Sequence, residues 1–211
     1  SNMSISTIVQ DKYGFFFFCT QGGLNYYDGK NFKIYDNKPF NQNDLVHNLI
    51  QTMYYDKENH IIWIGTYNGV SKFDISKQKF VNYTIENSNL SNNIVIAIEK
   101  DDKGNLWFGT MNGLNKLNTD SNKITNYDIS GEVVRDLKFT NKKLWIGTYE
   151  GLFFLKDKKI IKENIDLLSP FVMTIDEFKK GVLTLGQWTG GVIDYNYLEK
   201  KIVSKHTFKH D

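Results

Sequence analysis

Four short segments place a ring or thioether beside an amide, hydroxyl or carboxylate: Tyr67-Asn68, Met111-Asn112, Tyr149-Glu150 and Trp188-Thr189. Each follows a glycine and one further residue, and Gln21 occupies the matching place behind Cys19-Thr20. Planar rings that stack on a sugar face, next to groups that hydrogen-bond to hydroxyls, suit an oligosaccharide or another small polar ligand. The stretches 41–48 and 87–93 add Asn41, Asn43, Asp44, His47, Asn48, Asn87, Asn89, Asn92 and Asn93. Asn and Gly also dominate turns for backbone reasons alone, so a structural role competes at these positions. Trp188 and Tyr67 are the strongest functional candidates.

Catalytic chemistry has little support. The histidines are His47, His60, His206 and His210, and only the last two share a spacing, at the end of the chain. No serine-centred elbow, phosphate loop or paired-histidine zinc motif occurs. Cys19 sits in an apolar segment and reads as a small buried residue; as the only cysteine it excludes an internal disulfide or a multi-cysteine metal site. Pairs such as Asp101-Asp102 fall in turns, where carboxylates cap the backbone. Neither a metal nor a cofactor is expected. A lyase reading would require His47 to converge with Asp44 and Glu150.

The 211 residues carry 26 basic and 24 acidic side chains, a formal charge of +2. With 40% apolar and 24% charged residues the chain is neither disordered nor collagen-like. That balance leaves no strong field for nucleic acid, and the clusters Lys142-Lys143, Lys156 to Lys162 and Lys200-Lys201 are expected on outer turns and edge strands, where lysine discourages sheet-to-sheet pairing. The longest apolar runs, Phe15 to Cys19 and Ile94 to Ile98, are far too short to span a membrane. Aromatic residues make up 15%, which favours strands.

These candidates are positioned by a repeat. Ile62-Trp63-Ile64-Gly65-Thr66-Tyr67-Asn68-Gly69-Val70, Leu106-Trp107-Phe108-Gly109-Thr110-Met111-Asn112-Gly113-Leu114 and Leu144-Trp145-Ile146-Gly147-Thr148-Tyr149-Glu150-Gly151-Leu152 restate one pattern. Degenerate copies lie at Phe17 to Leu24 and Leu183 to Val192. The anchors 19, 65, 109, 147 and 186 are spaced by 46, 44, 38 and 39 residues. Before each anchor runs a segment with matched apolar residues (Ile5 and Ile8, Ile50 and Met53, Val95 and Ile98, Val134 and Leu137, Val172 and Ile175); after it come two more short strands such as Val70 to Asp74 and Phe80 to Thr84. No window sustains a helical period. Four antiparallel strands per copy, five times over, give an all-β β-propeller with blades near 5–36, 46–85, 91–130, 132–163 and 170–207, filling 1–211 as a single domain or a fragment of one. Trp63, Trp107 and Trp145 would fill the space between blades, and Asn-Gly at 68–69 and 112–113 suits hairpin turns that need positive φ.

Asp102-Lys103-Gly104-Asn105-Leu106-Trp107-Phe108-Gly109-Thr110, followed by Asn112-Gly113-Leu114, resembles the two-component regulator propeller repeat, and Tyr27-Asp28-Gly29-Lys30-Asn31-Phe32 is similar to the segment that closes its first copy. The resemblance spans about Ile5 to His206. It implies a non-catalytic sensing region of a two-component receptor, on the periplasmic or extracellular side, often responsive to oligosaccharides, with any kinase in domains outside this chain. It also implies a seven-bladed ring of which this chain would be part, and an adjoining propeller; the unpaired edges of an unclosed ring would favour self-association, while the charge balance and the short apolar runs argue against contact with nucleic acid or a membrane. An interaction scaffold, and a lyase like the streptogramin lyase with similar repeats, are the alternatives. Ser1-Asn2 before Met3 reads as a scar of tag removal, although Leu90-Ser91-Asn92-Asn93 shows that Ser-Asn also fits the repeat.

Overall fold

The computed structural model describes residues 5–38, 44–129 and 132–207. Ser1, Asn2, Met3, Asn41, Asn43 and His210 lie outside these residues. The described residues form twenty strands and no helix. The first sheet holds β1 (Ile5–Gln10), β2 (Phe16–Thr20), β3 (Gly23–Tyr27) and β4 (Phe32–Tyr35); the second holds β5 (Ile50–Asp56), β6 (Ile61–Thr66), β7 (Gly69–Asp74) and β8 (Lys79–Tyr83). The third contains β9 (Val95–Lys100), β10 (Leu106–Thr110), β11 (Gly113–Asn118) and β12 (Lys123–Tyr127). β13 (Val134–Thr140), β14 (Lys143–Thr148), β15 (Gly151–Lys156) and β16 (Lys159–Lys162) make the fourth, and β17 (Val172–Lys179), β18 (Val182–Gln187), β19 (Gly191–Asn196) and β20 (Lys201–His206) the fifth. Every sheet is an antiparallel meander in chain order, and β1, β5, β9, β13 and β17 pack side by side as the innermost strands.

The second strand of each copy is apolar at successive positions because it is covered on both faces. Ile62 and Ile64 pack back against Phe17 and Leu24 of the preceding sheet. Trp63 points forward, into a cluster with Leu106 and Phe108. Trp107 joins Leu144 and Ile146, and Trp145 joins Leu183 and Tyr195, so each indole closes one seam. Cys19 stands where the four other copies carry glycine and is wholly buried, and burial pushes its thiol up, away from reactivity.

A threonine explains the turn after the second strand. The Oγ1 of Thr66 donates to the Gly69 carbonyl at 2.9 Å and accepts the Asn68 N–H at 3.0 Å. Thr110 and Thr148 repeat this pattern at Gly113 and Gly151. The glycine that opens the third strand has positive φ, 110° at Gly69, which a side chain rarely adopts.

Two expectations shift. Lys142-Lys143 is not in an outer turn: it joins β13 to β14, and Lys143 Nζ sits 4.6 Å from the Trp145 ring centroid. The fourth strand of the second blade, expected over Phe80 to Thr84, runs instead over Lys79–Tyr83. The first and last sheets each leave one face uncovered, with Ile8, Phe32 and Ile34 exposed on the first and Phe178 and Val203 on the last.

Candidate functional site

The loops after the second strands and the segments that enter the innermost strands meet on one face. They are tied together by the backbone: Tyr67 N–H donates to the Leu49 carbonyl, Met111 N–H to that of Ile94 and Trp188 N–H to that of Phe171, each at 3.1 Å. The result is a rim of large side chains that the fold does not bury. Leu49, Tyr67, Met111, Phe171 and Trp188 are all exposed, Trp188 at 71%.

Tyr67 lies beside His47, with ring centroids 6.5 Å apart, and shares a cleft of about 310 Å³ with Gln21, Ser6, Thr20 and Gln51. Across the rim, Tyr149 meets the Phe171 ring edge-on at 5.6 Å, and the Arg135 guanidinium lies 5.8 Å from the Tyr149 ring centroid. Rings next to amides, hydroxyls and a guanidinium can stack on and hydrogen-bond to a polar ligand.

Other sequence candidates are held by local structure. Asn68 Oδ1 accepts from Asn93 Nδ2, the Asn112 carbonyl accepts from the Ser91 hydroxyl, and the Glu150 N–H is taken by Thr148. Asn87 Oδ1 accepts the Thr84 N–H and Asn92 Oδ1 the Ile94 N–H, both backbone-capping roles. Asp44 is drawn towards the outer strands, its carbonyl accepting from Asn82 Nδ2. His47 Nδ1 accepts the Leu49 N–H. Among the described residues no hydrogen bond or ion pair joins His47 to Asp44 or Glu150, and no group of three metal-ligating side chains is present.

The rim also uses residues that sequence patterning passes over. Each innermost strand carries a β-bulge at the same place, leaving Ser6, Gln51, Ile96, Arg135 and Met173 unpaired. A bulge bends its strand and re-aims a side chain. Gln51 and Arg135 reach the rim in this way, beside Tyr67 and Tyr149 respectively.

Carboxylates stitch the innermost strands below the rim. Glu99 of β9 accepts the Phe139 N–H of β13 at 3.0 Å, and Asp136 of β13 accepts the Ile175 N–H of β17 at 2.7 Å. Burial pushes their carboxyls up to about 7 and about 6, despite those hydrogen bonds. Lys138 and Asp176 form an ion pair at 2.6 Å in the same seam. In the turn before β10, Asp101 accepts from the backbone N–H groups of Lys103 and Asn105 and from Trp107 Nε1, so its role is structural.

Five meander sheets packed through their innermost strands, with loops gathered on one face, define a β-propeller. Residues 44–68 and 89–112 match the family model of the two-component regulator propeller. The fold is similar to the extracellular domain of BT3049, described as a hybrid two-component system of B. thetaiotaomicron, with 25% identity and a TM-score of 0.84 over 96% of this chain and 30% of that one. It is also similar to the extracellular domain of a one-component system of the same organism, BT4673, at 19% identity and a TM-score of 0.66 over 98% of this chain and 33% of that chain. The β-propeller domain of Myceliophteria thermophila Cps50 (Swd1) shares the fold at 13% identity and a TM-score of 0.71, over 97% of this chain and 73% of that chain. The chain thus spans about a third of the two bacterial relatives. No curated protein matches its sequence. No helix among the described residues is long and apolar enough to cross a membrane.

Proposed function

We propose that this chain is a non-catalytic, extracytoplasmic sensing segment of a two-component receptor, which binds an oligosaccharide or another small polar ligand at the loop rim. The observation that carries the reading is Trp188, 71% exposed on a rim shared with Tyr67, Tyr149 and Phe171, where burial would be the ordinary fate of such rings. The likeness to the extracellular domain of a hybrid two-component system supports the signalling context. A rigid propeller has little capacity to change internally, so the ligand acts by shifting how two receptor subunits are arranged. A thermal-shift screen of oligosaccharides and polar metabolites tests it: a binder raises the melting temperature of the wild type, and Trp188→Ala abolishes the rise.

A second reading, docking to an adjoining propeller or a second copy, is favoured by the uncovered face of the first sheet, where Phe16 stacks on Phe18 and Tyr27 on Phe32 in the open. Light scattering distinguishes it, since self-association through that face is lost in Ile34→Lys.

A further inference from the structure

The chain has a single arginine among its 26 basic residues, and that arginine is at the rim. Arg135 occupies the bulge of β13, between Val134, which pairs with Thr148, and Asp136, which pairs with Gly147. Its guanidinium lies over Tyr149, and its Nε is buried without a hydrogen-bond partner. No described carboxylate forms an ion pair with it, although among the described residues eight ion pairs use lysine. The neighbouring Asp136 is turned away, engaged with the backbone of β17. A guanidinium partly withdrawn from water with an unsatisfied donor is costly, and its planar fork matches a carboxylate in a way that lysine does not.

We propose that Arg135 and Tyr149 form a subsite for a carboxylate-bearing ligand, an acidic sugar, with the carboxylate on the guanidinium and the sugar face against the Tyr149 ring. The subsite rests on the ligand-sensing reading above and adds the charge of the ligand to it. Arg135 supplies the donors, Tyr149 fixes the guanidinium plane and Phe171 braces the tyrosine edge-on. Binding weakens as salt rises, because the anion is attracted to a site partly open to solvent.

The test is calorimetric titration of the folded chain with trigalacturonate and with galactotriose, its uncharged counterpart, using wild type, Arg135→Gln and Arg135→Lys. Trigalacturonate is expected to bind the wild type, to lose about tenfold or more in affinity in both variants, and to weaken with salt, since a charged bidentate contact is lost. Circular dichroism of the variants verifies folding, and Tyr149→Phe retains binding because the ring remains. Equal binding of the acidic and neutral sugars, or Arg135→Gln binding like the wild type, overturns the subsite and leaves the ligand-sensing reading standing. Absence of trigalacturonate binding also overturns it, whereas the wider reading falls only if the screen of neutral and acidic ligands fails as a whole.

Discussion

A β-carbon placed on Gly65 of β6 would lie 2.9 Å from the carbonyl oxygen of Val95, in the innermost strand of the next blade. A β-carbon on Gly109 would lie 2.6 Å from the Val134 side chain, and one on Gly147 3.1 Å from Val172. The glycine of the repeat therefore sets the distance between consecutive blades, and through it the spacing of the loops that form the rim. Gly65→Ala must push apart Thr52 and Val95, and is expected to cost about 1–3 kcal/mol in urea unfolding. Gly22→Ala, in the open turn after β2, is the control and should stay within about 0.5 kcal/mol of wild type.

The hydroxyl of Thr66 both donates to Gly69 and accepts from Asn68 while fully buried. Thr66→Val keeps the shape and removes the hydroxyl, leaving a buried carbonyl and an amide without that partner. A loss of about 1–3 kcal/mol is expected by denaturant titration. The Tyr67 loop should also become faster in amide exchange than the Met111 loop, whose Thr110 is intact.

The blades were readable because Trp-x-Gly-Thr followed by Gly is needed for packing and turning at once, and both demands fall on adjacent residues. Trp63, Trp107 and Trp145 duly close successive seams. The bulges were not readable. One extra residue in β13 leaves the apolar spacing of Val134 and Leu137 intact, so Arg135 looks like any strand residue until its partners are known. Its being the sole arginine was a signal available in composition. The loop residues were placed by the same repeat, yet which of Tyr67, Asn68, Asp44 and His47 face a common cleft depends on backbone ties such as Tyr67 to Leu49, which no local pattern encodes. Lys142-Lys143 shows the converse error, since a lysine pair suggests an edge while Lys143 lies over Trp145 and Phe154.

Stability should fall as pH rises through about 5 to 7. Glu99 and Asp136 hold their protons to about 7 and about 6 in the folded chain, above ordinary carboxyl values, so between those limits the folded state binds more protons than the unfolded one. The stability they contribute is complete below the ordinary carboxylate range and is lost as pH rises through their folded values. Asp28, Asp74, Asp176 and Asp194, held low by hydrogen bonds and, for Asp74 and Asp176, by neighbouring lysines, act oppositely and weaken the fold in stronger acid. A melting-temperature profile should therefore peak near the acidic side of neutrality, and Glu99→Gln should flatten its fall above about pH 5. A profile that keeps rising to pH 8 would contradict the assignment.

Trp188 should be dispensable for folding. Because it is 71% exposed, Trp188→Ala is expected to change stability by no more than about 0.5 kcal/mol. Trp145→Ala, which empties a buried seam, should cost about 3–5 kcal/mol. Parallel denaturant curves for the two variants make the comparison.

The most direct test of a sensing rim is tryptophan emission during titration with the ligand that the thermal-shift screen selects. Trp63, Trp107 and Trp145 are buried, so a change caused by a ligand on the rim must come from Trp188. The predicted result is a saturable blue shift in the wild type that is absent in Trp188→Phe, which retains a ring for stacking. A ligand that stabilises the chain equally in wild type and Trp188→Ala, with no change in emission, would contradict binding at this rim.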